Sequence, residues 1–462
     1  MAAKAEPIDP KVIKIAAVLL IGALAVVFDT TIVSVALRTL AADLHTDVTT
    51  IQWVSTGYLL ALGVAIPLAG WGQARFGGKR VWMFALLLFL VGSMACSLAW
   101  DAPSLIVARV VQGLGGGLML PLLSTLIVQA TGAKGLGRIM SVVSLPTALG
   151  PILGPVIGGL ILGALDWRWL FWVNVPFCVA GFILAWRVLD KDAVTGRARL
   201  DVIGLVLLSP ALVGILYGLS NAGKNGGFGR GDVLVPLLVG LALVAAFVVY
   251  TMRKGEGALV DVRLFRHRPV WSASALLFLS GASLYGGMLL LPLYWQDVRG
   301  FDALGAGLLL APQGIGTLFS RSIAGRLTDS IGARAVAIGG FIVIGLATVP
   351  FAFAGESTNI WLLMAVLVVR GLGMGAVMIP LMTAAYVGLE RSDVPHASIL
   401  TRITQQIGGS FGVALLAVIL EGAVTAGHGA AAFDQAFWWA VGFTAVAVVV
   451  SFALPKVQKA TT

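Results

Sequence analysis

Residues 105–121, from Leu105 to Pro121, read LIVARVVQGLGGGLMLP. An apolar run carrying a single charge, Arg109, fits a helix that crosses a bilayer. A guanidinium keeps its proton, and in lipid it is costly unless paired or hydrated. With the helix starting near Pro103, Arg109 lies about 9 Å inside it at 1.5 Å per residue. Gln112 follows on the same face one turn later. Gly113, Gly115, Gly116 and Gly117 then leave bare backbone for close approach of another helix. Charge, amide and smooth surface together point to a polar cavity wall beside a mobile helix contact. The plainer reading is an arginine near a helix end that snorkels to water.

The rest of the chain has the same character. Of its 462 residues, 59% are hydrophobic and 11% charged, against about 25% charged in a soluble domain. Fourteen apolar runs are long enough to span, at 12–37, 51–73, 81–99, 103–130, 136–162, 167–188, 201–220, 233–252, 269–295, 303–324, 334–354, 359–387, 398–420 and 433–454. The net charge of +10 would suggest nucleic acid, but the charges sit in short loops. If both termini are cytoplasmic, 24 of the 31 Lys and Arg fall at or near inside loops and termini. Five fall outside (Arg38, Arg168, Lys224, Arg230, Arg299), and two lie within helices, Arg109 and Arg370. That asymmetry fixes the orientation and removes the nucleic-acid reading. Cys96 and Cys178 lie in apolar runs and read as small core residues, with no disulfide or metal spacing.

The chain also repeats itself. PLAGWGQARFGGKR around Gly70 resembles SIAGRLTDSIGARA around Gly325, an offset of 255. QGLGGG from Gln112 resembles RGLGMG from Arg370, an offset of 258. Two six-helix halves of parallel topology would produce this, with two helices left over between them. The expected division is 1–188 for the first bundle, 189–262 for a linker with the two extra helices, and 263–462 for the second bundle.

Asp29, in VVFDTTIVSVAL, is the one acid expected well inside a helix. With that helix ending near Leu37, Asp29 lies about 12 Å from the end, close to the depth of Arg109. A membrane carboxylate that pairs, protonates and releases suits a proton relay. SLPTALGPILGPVIGGL places Gly150, Gly154 and Gly158 every four residues, with Pro151 and Pro155 breaking the hydrogen-bond ladder. Such a bendable stripe suits close contact between the two halves. In the second repeated loop Asp329 stands between Gly325 and Gly332, ahead of Arg334, and would latch one packing arrangement. The first loop, with Gly70, Arg75 and Gly77, has Ala74 at the corresponding place.

These residues resemble the fourteen-helix drug:proton antiporters of the major facilitator superfamily along nearly the whole chain. The carriers are DTTIVSVAL, the Gly70 to Arg80 loop, RVVQGLGGG, GPILGPVIGG and WRWLFWVNVP from Trp167. The resemblance implies proton coupling through Asp29 and Arg109. It also implies an antiporter motif of Gly150, Pro151, Gly154, Pro155, Gly158 and Gly159, and gating by the repeated loops. The family usually has Asp where Ala74 stands.

The expected fold is therefore an all-α integral membrane protein of the major facilitator type, two six-helix bundles plus two extra helices. By the same resemblance, Gln112, Met119, Tyr285, Met288, Arg370 and Met374 would line a substrate cavity. The expected function is proton-coupled efflux of hydrophobic or amphiphilic drugs across a bacterial inner membrane by alternating access. Expected partners are a small-molecule cargo, protons and membrane lipid, with the chain a monomer and no cofactor or metal. A dedicated exporter of a lipid, siderophore or endogenous antibiotic is the nearest rival, because Arg370 adds a cavity charge that repels cations. A membrane enzyme is the remote one, since it needs several chemical side chains at one depth.

Overall fold

Gly77 and Gly332, 255 residues apart, adopt the same left-handed backbone, φ 87° and 90°. Each ends one helix and starts the next, so the two repeated loops fold identically. A side chain at either place would strain this conformation, which explains the glycine. The computed structural model describes residues 9–33, 36–46, 48–51, 53–131, 150, 153–154, 157–190, 199–225, 227–255, 257–301, 303–390, 392–425 and 431–455.

The long helices are α1 (Pro10–Ile32), α2 (Trp53–Ala65), α3 (Leu68–Phe76), α4 (Gly78–Ser97), α5 (Ala102–Thr131) and α6 (Asn174–Val188). Then come α7 (Val202–Asn225), α8 (Gly231–Lys254), α9 (Arg268–Leu293) and α10 (Ala311–Ile331). The last are α11 (Ala333–Thr348), α12 (Ile360–Ala385), α13 (Val394–Thr425) and α14 (Ala431–Ser451). Among the described residues, 11 helices are long and apolar enough to cross a membrane alone, and α2 with α3, bent by 50° at their join, brings this to 12. The fourteen expected spans are not reached for two reasons. Most of 136–162 lies outside the described residues, and α10 carries Arg321, Arg326 and Asp329.

Glycine decides which helices meet. A Cβ on Gly113 or Gly117 of α5 would press into the carbonyl oxygens of Tyr58 or Leu62 on α2. Gly371 and Gly375 of α12, 258 residues further on, stand in the same relation to Gln313 and Thr317 on α10, which are 255 residues beyond Tyr58 and Leu62. On the other side, a Cβ on Gly115 would lie 2.6 Å from the Phe89 nitrogen, and on Gly373 2.9 Å from that of Ile344, again 255 on. Thus α5 is gripped by α2 and α4 as α12 is by α10 and α11. The remaining pairs follow suit: α1 packs on α5 and α6, and α9 on α12 and α14.

The two bundles meet at the end of the molecule that carries the Gly77 and Gly332 turns. There α13 packs on α5 and α3. Ser398 Oγ donates to the Pro121 carbonyl at 3.0 Å, and Ile399 lies over Gly70. Val394, Ala397, Ile399 and Leu400 join residues of α3 and α5 in one apolar core. The inserted pair is asymmetric. α7 wedges between α2 and α13, with Ser209 donating to the Val64 carbonyl at 3.3 Å, Tyr217 stacked on Trp53 and Ile215 beside Ala414. α8 packs on α7.

Three expectations change here. The first helix stops at Ile32 rather than near residue 37, and a separate helix, Leu37–Asp43, follows. Arg109 and Arg370 are not the only basic residues inside helices, because Arg321 and Arg402 lie well within α10 and α13. These two helices extend further than their apolar runs, and the runs hid the charges near their ends. The glycine stripe at 150–158 serves one bundle rather than the contact between the two. Cβ atoms on Gly150 and Gly154 would collide with Val27 and Thr31 of α1, and Thr31 Oγ1 donates to the Gly150 carbonyl at 2.9 Å. Gly159 faces open space. Pro151 and Pro155 lie outside the described residues.

Candidate functional site

The grip of α2 and α4 on α5 carries Arg109 against α1, because its four-residue glycine spacing fixes the rotation of α5. Asp29 sits in the last turn of α1, facing α5 and α6. The Arg109 Nη1–Asp29 Oδ2 distance is 2.6 Å. Their relative exposures are 1% and 0%, so the pair is sealed from solvent and is not snorkelling. Charge-assisted hydrogen bonds of this length are the strong kind.

Further polar groups and one aromatic ring brace both the carboxylate and the guanidinium. Asp29 Oδ1 accepts from Gln112 Nε2 at 2.9 Å and from Asn174 Nδ2 at 3.0 Å. Arg109 donates to Gln112 Oε1 at 2.8 Å and to the Val54 carbonyl at 3.2 Å. Its guanidinium carbon lies 4.0 Å from the Tyr58 ring centroid, a cation–π stack. Asn174 also donates to Ser93 Oγ at 3.1 Å, and Ser93 donates to the Phe171 carbonyl at 2.9 Å. Five helices, α1, α2, α4, α5 and α6, thus converge on one buried charge pair. The arrangement has two electrostatic states available: a closed ion pair, and, once the carboxylate is neutral, a guanidinium free to take other acceptors.

Asn174, Ser93 and Tyr58 escaped sequence reading. Asn174 had a signal, an amide inside the apolar run WRWLFWVNVP, whereas Ser93 and Tyr58 are polar residues of ordinary membrane-helix kind. Gln112 and Met119 do not line an open cavity as expected. Both are 0% exposed, Gln112 tied into the pair and Met119 packed over Gly22. Tyr285 is exposed and Met288 and Met374 half-buried. Arg370 is buried, and its Nη1 donates to Gln313 Oε1 at 2.5 Å and its Nε to Thr348 Oγ1 at 3.2 Å. Of the loop residues, Gly70 lies under Ile399, Gly325 is buried, Arg75 occupies the last turn of α3, and Asp329 is exposed. Arg334 does not reach toward Asp329; its Nε donates to the Leu454 carbonyl at 2.7 Å, pinning α11 to the end of α14. Among the described residues no cluster of His, Cys, Asp and Glu could hold a metal.

A twofold-repeated bundle of membrane-length helices around a buried charge pair defines a multi-pass helical membrane protein. The chain matches the family model of the Major Facilitator Superfamily over residues 19–413, and it belongs to that superfamily of membrane transporters. It is 38% identical over 417 residues to a Multidrug resistance protein B homolog of Mycobacterium tuberculosis, covering 90% of this chain and 77% of that one. It is 29% identical over 411 residues to the Lincomycin resistance protein LmrB of Bacillus subtilis, covering 89% and 86%. Among solved structures, the proton:xylose symporter XylE bound to 6-bromo-6-deoxy-D-glucose has the same fold at a TM-score of 0.67, with 14% identity and 96% of each chain covered.

Proposed function

We propose that this protein is a fourteen-helix, proton-coupled exporter of hydrophobic or amphiphilic drugs, working by alternating access in a bacterial inner membrane. Both termini are cytoplasmic, the chain acts as a monomer among membrane lipids, and its units are 1–188, 189–262 and 263–462. Asp29 carries the proton, and Arg109 holds the ionised carboxylate until the proton arrives. The repeated turns at Gly77 and Gly332, with Asp329 beside the second, gate the cytoplasmic side.

The buried Asp29–Arg109 pair is the observation that carries this reading. A structural ion pair gains little from full burial, because desolvation offsets its attraction. A sealed carboxylate braced by two amides and one guanidinium is more useful as a switch than as a support. The names of the relatives support drug export. Purified protein in proteoliposomes with an imposed pH gradient tests it: Asp29→Asn should bind drug and lose uphill transport. Uphill export by that variant with an unchanged pH profile would remove Asp29 from the mechanism.

A further inference from the structure

The second bundle contains an image of the buried polar site in which the acid is missing. Gln112 has its repeat counterpart in Arg370, 258 residues on, while Tyr58 and Ser93 have theirs in Gln313 and Thr348, 255 on. Both counterparts bond to Arg370. Its other acceptors are the Ser283 carbonyl at 3.4 Å and the Met374 sulfur at 3.7 Å. All four are neutral. Arg370 is 2% exposed, and it makes no ion pair among the described residues.

A second guanidinium is linked to it through intervening side chains. Arg402 on α13 donates to Gln405 Oε1 at 3.2 Å, and Gln405 Nε2 lies 3.6 Å from the Met378 sulfur. Met374 and Met378 are one turn apart on α12, so a strip of polar and thioether atoms joins Arg370 to Arg402. Arg370 is ten residues into α12 and Arg402 eight into α13 from the opposite end. At 1.5 Å per residue both stand about 12–15 Å inside the membrane span. Arg402 also makes no ion pair among the described residues. Among the described residues the two buried carboxylates are already taken, Asp29 by Arg109 and Asp201 by Lys254.

Burying Arg370 without a counter-charge is unfavourable, and neutral hydrogen bonds offset it only in part; half-buried Arg402 adds a second cation to the same strip. Half-buried Met374, Met378 and Gln313, with exposed Tyr285, leave the strip approachable. We infer that Arg370, with Arg402, recognises an acidic group, a carboxylate, on an amphiphilic cargo whose apolar body lies on Met374, Met378 and Tyr285. The cargo's carboxylate supplies in the second bundle the charge that Asp29 supplies in the first. Thioether and aromatic walls accept varied apolar shapes, while a guanidinium fixes the acidic head and the second adds to the attraction for it. This rests on the export reading and narrows its substrate class.

The test uses three probes with one apolar body: dansyl-aminoundecanoate, its methyl ester, and the matching trimethylammonium compound. Binding to the purified full-length protein is read by dansyl fluorescence. Wild type should bind the carboxylate at least about tenfold more tightly than the ester, with no competition from the ammonium compound. Arg370→Gln and Arg402→Gln should each collapse the carboxylate-to-ester ratio toward one while ester binding persists, an outcome general misfolding would not give. Arg370→Lys should retain part of the ratio. If a glutamine variant does not fold, the wild-type ratio and Arg370→Lys still decide. Equal affinity for all three probes in wild type, or preference for the ammonium compound, overturns the inference. Uptake driven by a pH gradient separates it from the export reading. Carboxylate preference without driven transport removes export and keeps the recognition site; driven transport of the ammonium compound does the reverse.

Discussion

Arg109 and Asp29 depend on each other for more than attraction. Deleting one partner of a sealed ion pair leaves the other charged in an apolar interior, which costs about 3–5 kcal/mol. Arg109→Ala should therefore lower the thermal midpoint of the purified protein steeply. Asp29→Asn with Arg109→Gln in the same chain should recover most of that loss. If the double variant is no more stable than Arg109→Ala, stranded charge is not the cause. Asp201, just ahead of α7, shows the other fate of a buried acid. Burial acts to raise its pKa, but four donors outweigh that and hold it below the usual carboxylate range. These are Lys254 Nζ and Tyr250 Oη, each at 2.7 Å, and the Gly204 and Leu259 nitrogens, each at 3.0 Å. Its folded pKa is depressed, so its stabilisation is present above the unfolded value, near pH 4, and is lost as pH falls through the lower folded one. Thermal midpoints measured from pH 7 down to about pH 3 should show the stability gap between wild type and Asp201→Asn narrowing at the acid end. A gap that stays constant with pH would count against this account.

Among the helices, glycine position decides which neighbours are admitted. Gly154→Leu would drive a side chain into Thr31 of α1, at the turn that holds Asp29. The expected result is normal membrane insertion with transport largely lost, since helix approach fails while the hydrophobic spans remain. Gly159→Leu, five residues away, meets open space and should transport normally. Expression-matched transport assays on the two variants read the difference directly. Equal activity in both would mean that the approach to α1 is not needed.

For the molecule as a whole, the two bundles are joined at the Gly77 and Gly332 end by α13 lying across α3 and α5. A Cβ on Gly70 would lie 3.0 Å from Ile399 Cδ1. Gly70→Cys with Ile399→Cys replaces the long side chain by a short one, so both thiols should fit. Both native cysteines, Cys96 and Cys178, are buried and so should react slowly with a linker. A short cleavable bifunctional thiol reagent should arrest transport, and cleaving it should restore transport. Full activity while linked would show that the bundles need not part at this seam.

Read alone, the sequence determined the features that follow from local chemistry. The apolar runs must cross lipid because their backbone polar groups bond within each helix and their side chains shun water. The offsets of 255 and 258 predicted the repeat, since equal turns such as Gly77 and Gly332 need equal residues. Asp29 and Arg109 were legible as partners because so few charges enter the spans. Tertiary structure alone decided the rest. Asn174 and Ser93 become parts of the site only when α4 and α6 close on α1. Arg321 and Arg402 stand near the ends of their apolar runs and read as charges close to the inside loops, because a run's apolar length does not reveal how far its helix continues. Gln112 reads as a cavity residue until packing seals it against Asp29, because the face a helical residue shows is set by its neighbours and not by its spacing.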